Sequence, residues 1–199
     1  MIPAKAAFVL TVFVVCALGV YKENAEDQSS TAASEVSRIS LGEKSLRLIG
    51  PTAQVVEPES GLTFQARIDT GATRCSLHVA EWIIEDEFPV MADNVGKEIR
   101  FRLANRCGQT EWLTRQVAEV AFIRTSEQEE LRYLVPLSLV LDGLEREVLV
   151  SLNDRSEMDF AMLVGRNYLD GEFVVDVSRS GPDMNLLANS TAGLTREVP

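Results

Sequence analysis

The chain has 199 residues, 46% of them hydrophobic and 25% charged, a balance that suits one folded domain with extensions and argues against wholesale disorder. Its formal net charge of -11, with no run of Lys or Arg, argues against nucleic acid or an anionic lipid surface as partner, since both need a basic patch that displaces counterions.

After Lys5, residues 6–20 are apolar. As a helix they would span ~22 Å, short of the ~30 Å hydrocarbon core of a bilayer. Ala17-Leu18-Gly19 offers small residues for signal-peptidase cleavage. Residues 1–20 are therefore expected to be a signal peptide or a membrane anchor, with this segment contacting the membrane. Either way the rest of the chain is exported, released in the periplasm or tethered to the inner membrane. Residues 21–40, rich in Ser, Ala, Glu and Asp, read as a flexible linker.

From residue 41 onward, β-branched and apolar runs of strand length recur: 45–49, 53–56, 62–69, 99–104, 111–124, 131–141, 146–153, 162–164 and 172–177. Turn chemistry separates them, as at Gly50-Pro51, Arg106-Cys107-Gly108 and Asp170-Gly171, and Asp142-Gly143 is a hairpin signal. Helical periodicity is confined to a turn or two at 80–87 and at 166–169. Many short strands with evenly spaced turns predict an all-β domain over 41–179 built as a closed β-barrel, followed by a disordered tail at 180–199.

Two segments carry chemistry. Phe64-Gln65-Ala66-Arg67-Ile68 runs as a strand into Asp69-Thr70-Gly71-Ala72, which places one carboxylate at the mouth of a tight turn. About a hundred residues later, Ala161-Met162-Leu163-Val164 ends at Gly165-Arg166-Asn167. Together they resemble the retropepsin pattern, in which the second segment supports the loop bearing the catalytic Asp. An aspartic peptidase needs two carboxylates that share a proton, because like charges so close cannot both ionise. The chain has a single Asp-Thr-Gly, so the dyad requires a two-fold homodimer with Asp69 from each copy on the axis. Asp69 is then the catalytic acid/base, and Thr70 holds the two loops in register. Gly71 admits its N–H to the carboxylate, Ala72 lies near the substrate backbone, and Gly165, Arg166 and Asn167 brace the loop. Arg67, two residues before Asp69, projects to the same strand face and is a candidate modulator of its pKa.

The resemblance narrows further. Ala66 to Thr73 with Ser76-Leu77-His78, and Ser151-Leu152-Asn153-Asp154-Arg155-Ser156-Glu157-Met158 running on through Gly165-Arg166-Asn167-Tyr168-Leu169, are similar to a bacterial family catalogued as ATP-dependent zinc proteases and now regarded as retropepsin-like. It covers about 46–178 and departs from the pattern at Arg67, where retroviral enzymes carry an apolar residue, and at Cys75, where a Ser is expected. The resemblance implies an acid-protease barrel with one short helix, acting as a homodimer on peptide or protein substrates. Neither half of the family's older label fits the residues. No glycine-rich loop ends in Lys-Ser or Lys-Thr, and a single His cannot build His-Glu-x-x-His, so no cofactor and no metal are expected.

Alternatives stay open. A non-catalytic module of the same fold would keep the barrel for binding or regulation, and a zinc-dependent hydrolase would draw on Cys75, His78 and Cys107. In an oxidising compartment Cys75 and Cys107 are also a candidate disulfide. The run Glu127-Gln128-Glu129-Glu130 and the turn at Arg106-Cys107-Gly108 compete for the role of a flap over the substrate.

Overall fold

Alternation explains most of the strands. In β4 (Leu62–Ile68) the residues Leu62, Phe64, Ala66 and Ile68 are buried, while their neighbours face outward. In β9 (Glu129–Leu141) the same rule buries Val135, Leu137, Leu139 and Leu141. These side chains join Val55, Leu77, Val150 and Met162 in one core, and each fully buried aliphatic contributes about 1.5–3 kcal/mol.

The structure is a computed structural model that describes residues 37–42, 44–124 and 129–179. The signal or anchor segment, most of the linker, the tail, and Glu127 and Gln128 lie outside these residues. Among the described residues the fold is mostly β, with one short helix, α1 (Arg166–Leu169), and a 3-10 turn at Met91–Asn94. None of the helices there is long and apolar enough to cross a membrane.

Six strands pair in a ring. β10 (Leu144–Asn153) joins β9, β9 joins β3 (Thr52–Glu57), and β3 joins β4. β4 runs parallel to β11 (Met162–Val164), β11 pairs with β5 (Cys75–Ile83), and β5 runs parallel to β10, which completes the circuit. β6 (Glu98–Ala104) and β7 (Thr110–Gln116) extend the sheet beyond β5, and β8 (Glu119–Arg124) pairs with β9. A separate sheet holds β1 (Arg38–Leu41), β2 (Lys44–Ile49) and β12 (Phe173–Val175) in the order β1-β2-β12.

Three local expectations change. The stretch 80–87 is not helical: β5 runs through it to Ile83, because Leu77 and Val79 are drawn into the core and Glu81, Trp82 and Ile83 pair with β6. Residues 111–124 form two strands, broken where the Val117 and Ala118 N–H groups bond to Lys97 and Leu134. β1 starts at Arg38, inside the stretch read as linker. Trp82 is 42% exposed, while Trp112 lies under the Arg100 guanidinium at 4.5 Å.

Candidate active site

β4 and β5 lie on either side of β11, so the chain leaving β4 at Ile68 must cross the end of β11 to enter β5 at Cys75. The crossing segment is Asp69 to Arg74, and what it crosses is Gly165. The Asp69 N–H donates to the Val164 carbonyl at 2.9 Å, which pins the loop's first residue to the end of β11. A Cβ at Gly165 would stand 2.5 Å from the Arg74 carbonyl oxygen and 2.6 Å from its carbon, so no larger residue fits beneath the loop as it stands.

The two residues after Gly165 clamp the loop. The Arg166 N–H donates to the Ala72 carbonyl at 2.9 Å and the Asn167 N–H to that of Thr73 at 3.1 Å. The Arg166 guanidinium reaches the Thr70 carbonyl at 3.0 Å, the Gly71 carbonyl at 2.8 Å and the Thr73 hydroxyl at 3.0 Å. Asn167 Oδ1 accepts the Cys75 N–H at 2.9 Å, and its Nδ2 donates to the Leu149 carbonyl at 2.8 Å, which ties the loop to β10. Behind them the Tyr168 hydroxyl accepts the Leu141 N–H at 3.0 Å and donates to the Leu144 carbonyl at 2.6 Å; burial pushes this phenol up to about 12. Short as it is, α1 thus joins the Asp69 loop to the β9–β10 hairpin.

Within the loop, Asp69 Oδ1 accepts the Gly71 N–H at 2.8 Å and the Ala72 N–H at 3.1 Å, which fixes the carboxylate plane. A Cβ at Gly71 would stand 3.1 Å from that same oxygen, so the glycine serves close approach. Oδ2 has no partner among the described residues. The carboxylate opens on a cleft of about 980 Å³ walled by the loop, by β8 and by the ends of β9 and β10. Arg67 is exposed and lines the same cleft.

Arg74, Glu119, Arg132 and Arg155 also line it. Arg74 pairs with Glu119 at 2.9 Å. Burial holds the Arg155 guanidinium below its ordinary value, nearby Arg132 and Arg106 add repulsion, and the Asp69 charge opposes them. Sequence reading left Ser76, Arg132 and Arg155 unassigned. Ser76 and Arg155 lie in the two blocks that resemble the family, whereas Arg132 follows Glu129 and Glu130 at the charged head of a strand that is apolar beyond it.

Among the described residues Cys75 and Cys107 are not paired. Cys75 is buried beneath the loop, with its thiol on Asn167 Oδ1 at 3.2 Å, while Cys107 is exposed at the β6–β7 turn. Burial pushes the Cys75 thiol up to about 12, against smaller opposing effects from the Gly165 N–H and Arg146. His78 Nδ1 accepts the Arg155 N–H at 3.0 Å and lies 3.5 Å from Asp154. The Cys75 thiol and His78 Nδ1 are engaged by Asn167 and Arg155, and among the described residues no three His, Cys, Asp or Glu side chains converge, so the set does not fit a zinc site. The turn at Arg106-Cys107-Gly108 does not line the cleft, and Arg106 bonds to the carbonyls of Arg155 at 2.7 Å and Ser156 at 3.0 Å. β8 instead lines the cleft.

A ring of six strands, with one Asp-bearing loop carried over the end of a short strand and clamped by Gly-Arg-Asn, defines a retropepsin-like fold. The chain belongs to the RimB-like family, described as retropepsin-like aspartic endopeptidase RimB, whose profile matches residues 48–181. Among solved structures it is similar to Lpg0085 from Legionella pneumophila, a DUF785 protein of unknown function. That likeness has 21% identity and a TM-score of 0.55, covers 67% of this chain and 95% of the other, and shows the fold alone. No curated protein matches.

Proposed function

We propose that this protein is an aspartic endopeptidase whose dyad forms from Asp69 of two copies related by a two-fold axis, each ring acting as one closed barrel. The observation that carries this reading is the braced loop: one oxygen of Asp69 is fixed by two backbone N–H groups and the other is left facing a cleft of peptide-accepting size. In the dyad one carboxyl holds the shared proton and its partner is ionised. The ionised group takes a proton from water as that water's oxygen adds to the scissile carbonyl carbon. The protonated group gives its proton to the carbonyl oxygen. The resulting diol then collapses: the carboxyl that took water's proton gives it to the nitrogen as the C–N bond breaks, and one diol hydroxyl returns its proton to the other carboxylate, which leaves a carboxylic acid, a free amine and a dyad again holding one proton. The β8–β9 hairpin, which walls the cleft, covers the bound peptide. The apolar segment 6–20 supports placing this activity in the cell envelope.

The test is cleavage of a mixed peptide library by the full chain and by Asp69→Asn. The variant is expected to lose at least about a thousandfold in rate. Mixing the two proteins should lower activity as the square of the wild-type fraction, because one inactive copy spoils a shared dyad. A linear fall would refute the dimeric dyad, and no cleavage by folded wild type would favour the non-catalytic binding module.

A further inference from the structure

We infer that Arg106, which stands outside the cleft, is a positioning residue for it: its guanidinium seats the segment 155–158, so that Arg155 and Met158 wall the cleft in one arrangement when a peptide enters. The clamp itself is read from geometry, while its effect on turnover rests on the endopeptidase reading. Arg155 and Met158 line the Asp69 cleft, and Arg106 does not. The segment that carries them joins β10 to β11, the strand whose end bears the Asp69 loop. It shapes itself at its start: Asp154 Oδ1 accepts the Ser156 N–H at 2.9 Å, and the Met158 N–H reaches back to the Arg155 carbonyl at 3.0 Å. Those bonds make a turn, but they do not decide where the turn sits on the body of the protein.

Two contacts from elsewhere decide it. His78 on β5 accepts the Arg155 N–H at 3.0 Å. Arg106 gathers carbonyls: its Nη2 donates to Arg155 at 2.7 Å and also to Met158, and its Nη1 donates to Ser156 at 3.0 Å. A planar fork that meets three carbonyls of one turn fixes both place and tilt, which a point charge cannot do. An arginine held this way loses rotamer freedom, and it acts as a clamp only if its own base is rigid. Asn105 supplies that base. It is 8% exposed, its Oδ1 accepts the N–H groups of Cys107 at 3.1 Å and Gln109 at 3.0 Å, and its Nδ2 donates to the Thr63 carbonyl of β4 at 3.1 Å. The β6–β7 extension lies outside the six-strand ring, and this gives it a use: it carries a rigid turn to the back of the cleft wall. The Asp69 loop has its own brace in Gly165, Arg166 and Asn167. Loosening the Arg106 clamp therefore weakens peptide binding equally before and during the chemical step, which raises KM and spares kcat.

The experiment compares the full chain with Arg106→Ala and Arg106→Lys, using a peptide that the library shows to be cleaved. Arg106 is exposed, so both variants should fold. Arg106→Ala is expected to raise KM about tenfold and to leave kcat within about threefold. Arg106→Lys should recover only part of the loss, because an ammonium has no fork to spread over three carbonyls. Amide hydrogen exchange gives a reading that needs no substrate: at 155–158 it should quicken at least about tenfold in Arg106→Ala, while 69–74 stays as in wild type. An unchanged KM, a fall in kcat at constant KM, full rescue by lysine, or unchanged exchange at 155–158 would overturn the proposal. Quickened exchange there in a protein that cleaves nothing would sink the endopeptidase reading and leave the clamp standing; cleavage with unchanged KM and exchange would do the reverse.

Discussion

Two aspartate turns in this chain look alike in sequence and are built on opposite principles. Asp142-Gly143 joins β9 to β10 by itself: Asp142 has φ of 52° and Gly143 of 72°, the left-handed pair that matches the twist of a two-residue hairpin. Asp69-Thr70-Gly71 has no residue in the left-handed region. Its shape is imposed from outside, by Gly165, Arg166 and Asn167, more than ninety residues away in sequence. The first turn needs only its own dipeptide, whereas the second exists only in the folded protein. Held by that brace, the Asp69 carboxylate keeps one orientation, with Oδ1 on the Gly71 and Ala72 N–H groups and Oδ2 unpartnered among the described residues.

Breaking the external brace should therefore cost more than breaking the hairpin. Gly165→Ala has the largest expected effect. Its methyl group would fall on the backbone of Arg74, which no rotamer change relieves, so about 1–3 kcal/mol of stability should be lost together with most cleavage. Chemical denaturation and library cleavage read the two losses separately, and a fully active Gly165→Ala protein would refute the brace. Next comes Arg166→Ala. Arg166 is exposed, so its bonds to Thr70, Gly71 and Thr73 are screened and stability should fall by no more than about 1 kcal/mol. Activity should drop further, by about tenfold or more, because a shift of the loop misplaces Asp69. An unchanged kcat/KM would show that the backbone bonds of residues 166 and 167 suffice without the guanidinium.

Legibility in the sequence follows the same division. The hairpin was readable from Asp142-Gly143 because its cause is local. Gly165-Arg166-Asn167 was readable as a brace only through resemblance, since nothing in those three residues announces that their targets are the carbonyls of 70–73. Most strands appeared because burial enforces alternation, as in β4. β5, like β1, was missed: Cys75-Ser76-Leu77-His78-Val79 buries three consecutive residues beside β10 and β11, then becomes exposed from Ala80 on, so it shows neither period cleanly. That lapse also hid Ser76. The disulfide expectation failed for a related reason, because pairing depends on which way β5 presents Cys75, and it presents the thiol to Asn167.

Smaller effects sharpen the contrast. Gly143→Ala puts a methyl group at a left-handed φ with open space around it, so the cost is backbone strain alone, about 1–2 kcal/mol, and cleavage should keep its rate. A loss of activity there would mean that the hairpin, which α1 ties to the Asp69 loop, transmits its own distortion.

The last and smallest effect concerns His78, which makes a second long-range brace by accepting the Arg155 N–H. Burial holds its pKa below the ordinary 6.5, Asp154 pulls the other way, and Arg106 and Arg155 oppose protonation. The folded state then binds this proton less readily than the unfolded chain. The His78 contribution is fully present above about pH 6.5 and is lost as pH falls through the lower folded value. Protonated Nδ1 would become a donor facing a donor, so the Arg155 segment should loosen in the same window. Asp154, whose carboxyl the Ser156 N–H and hydroxyl hold below 3.8, titrates in a more acidic range and leaves this one clear. Unfolding midpoints measured from neutral pH to about pH 5 should fall for wild type and stay flatter for His78→Gln, which keeps an acceptor but cannot titrate. Gly143→Ala should follow the wild-type slope, because it leaves the His78–Arg155 hydrogen bond untouched. Equal slopes for wild type and His78→Gln would mean that the brace to Arg155 does not depend on a neutral imidazole.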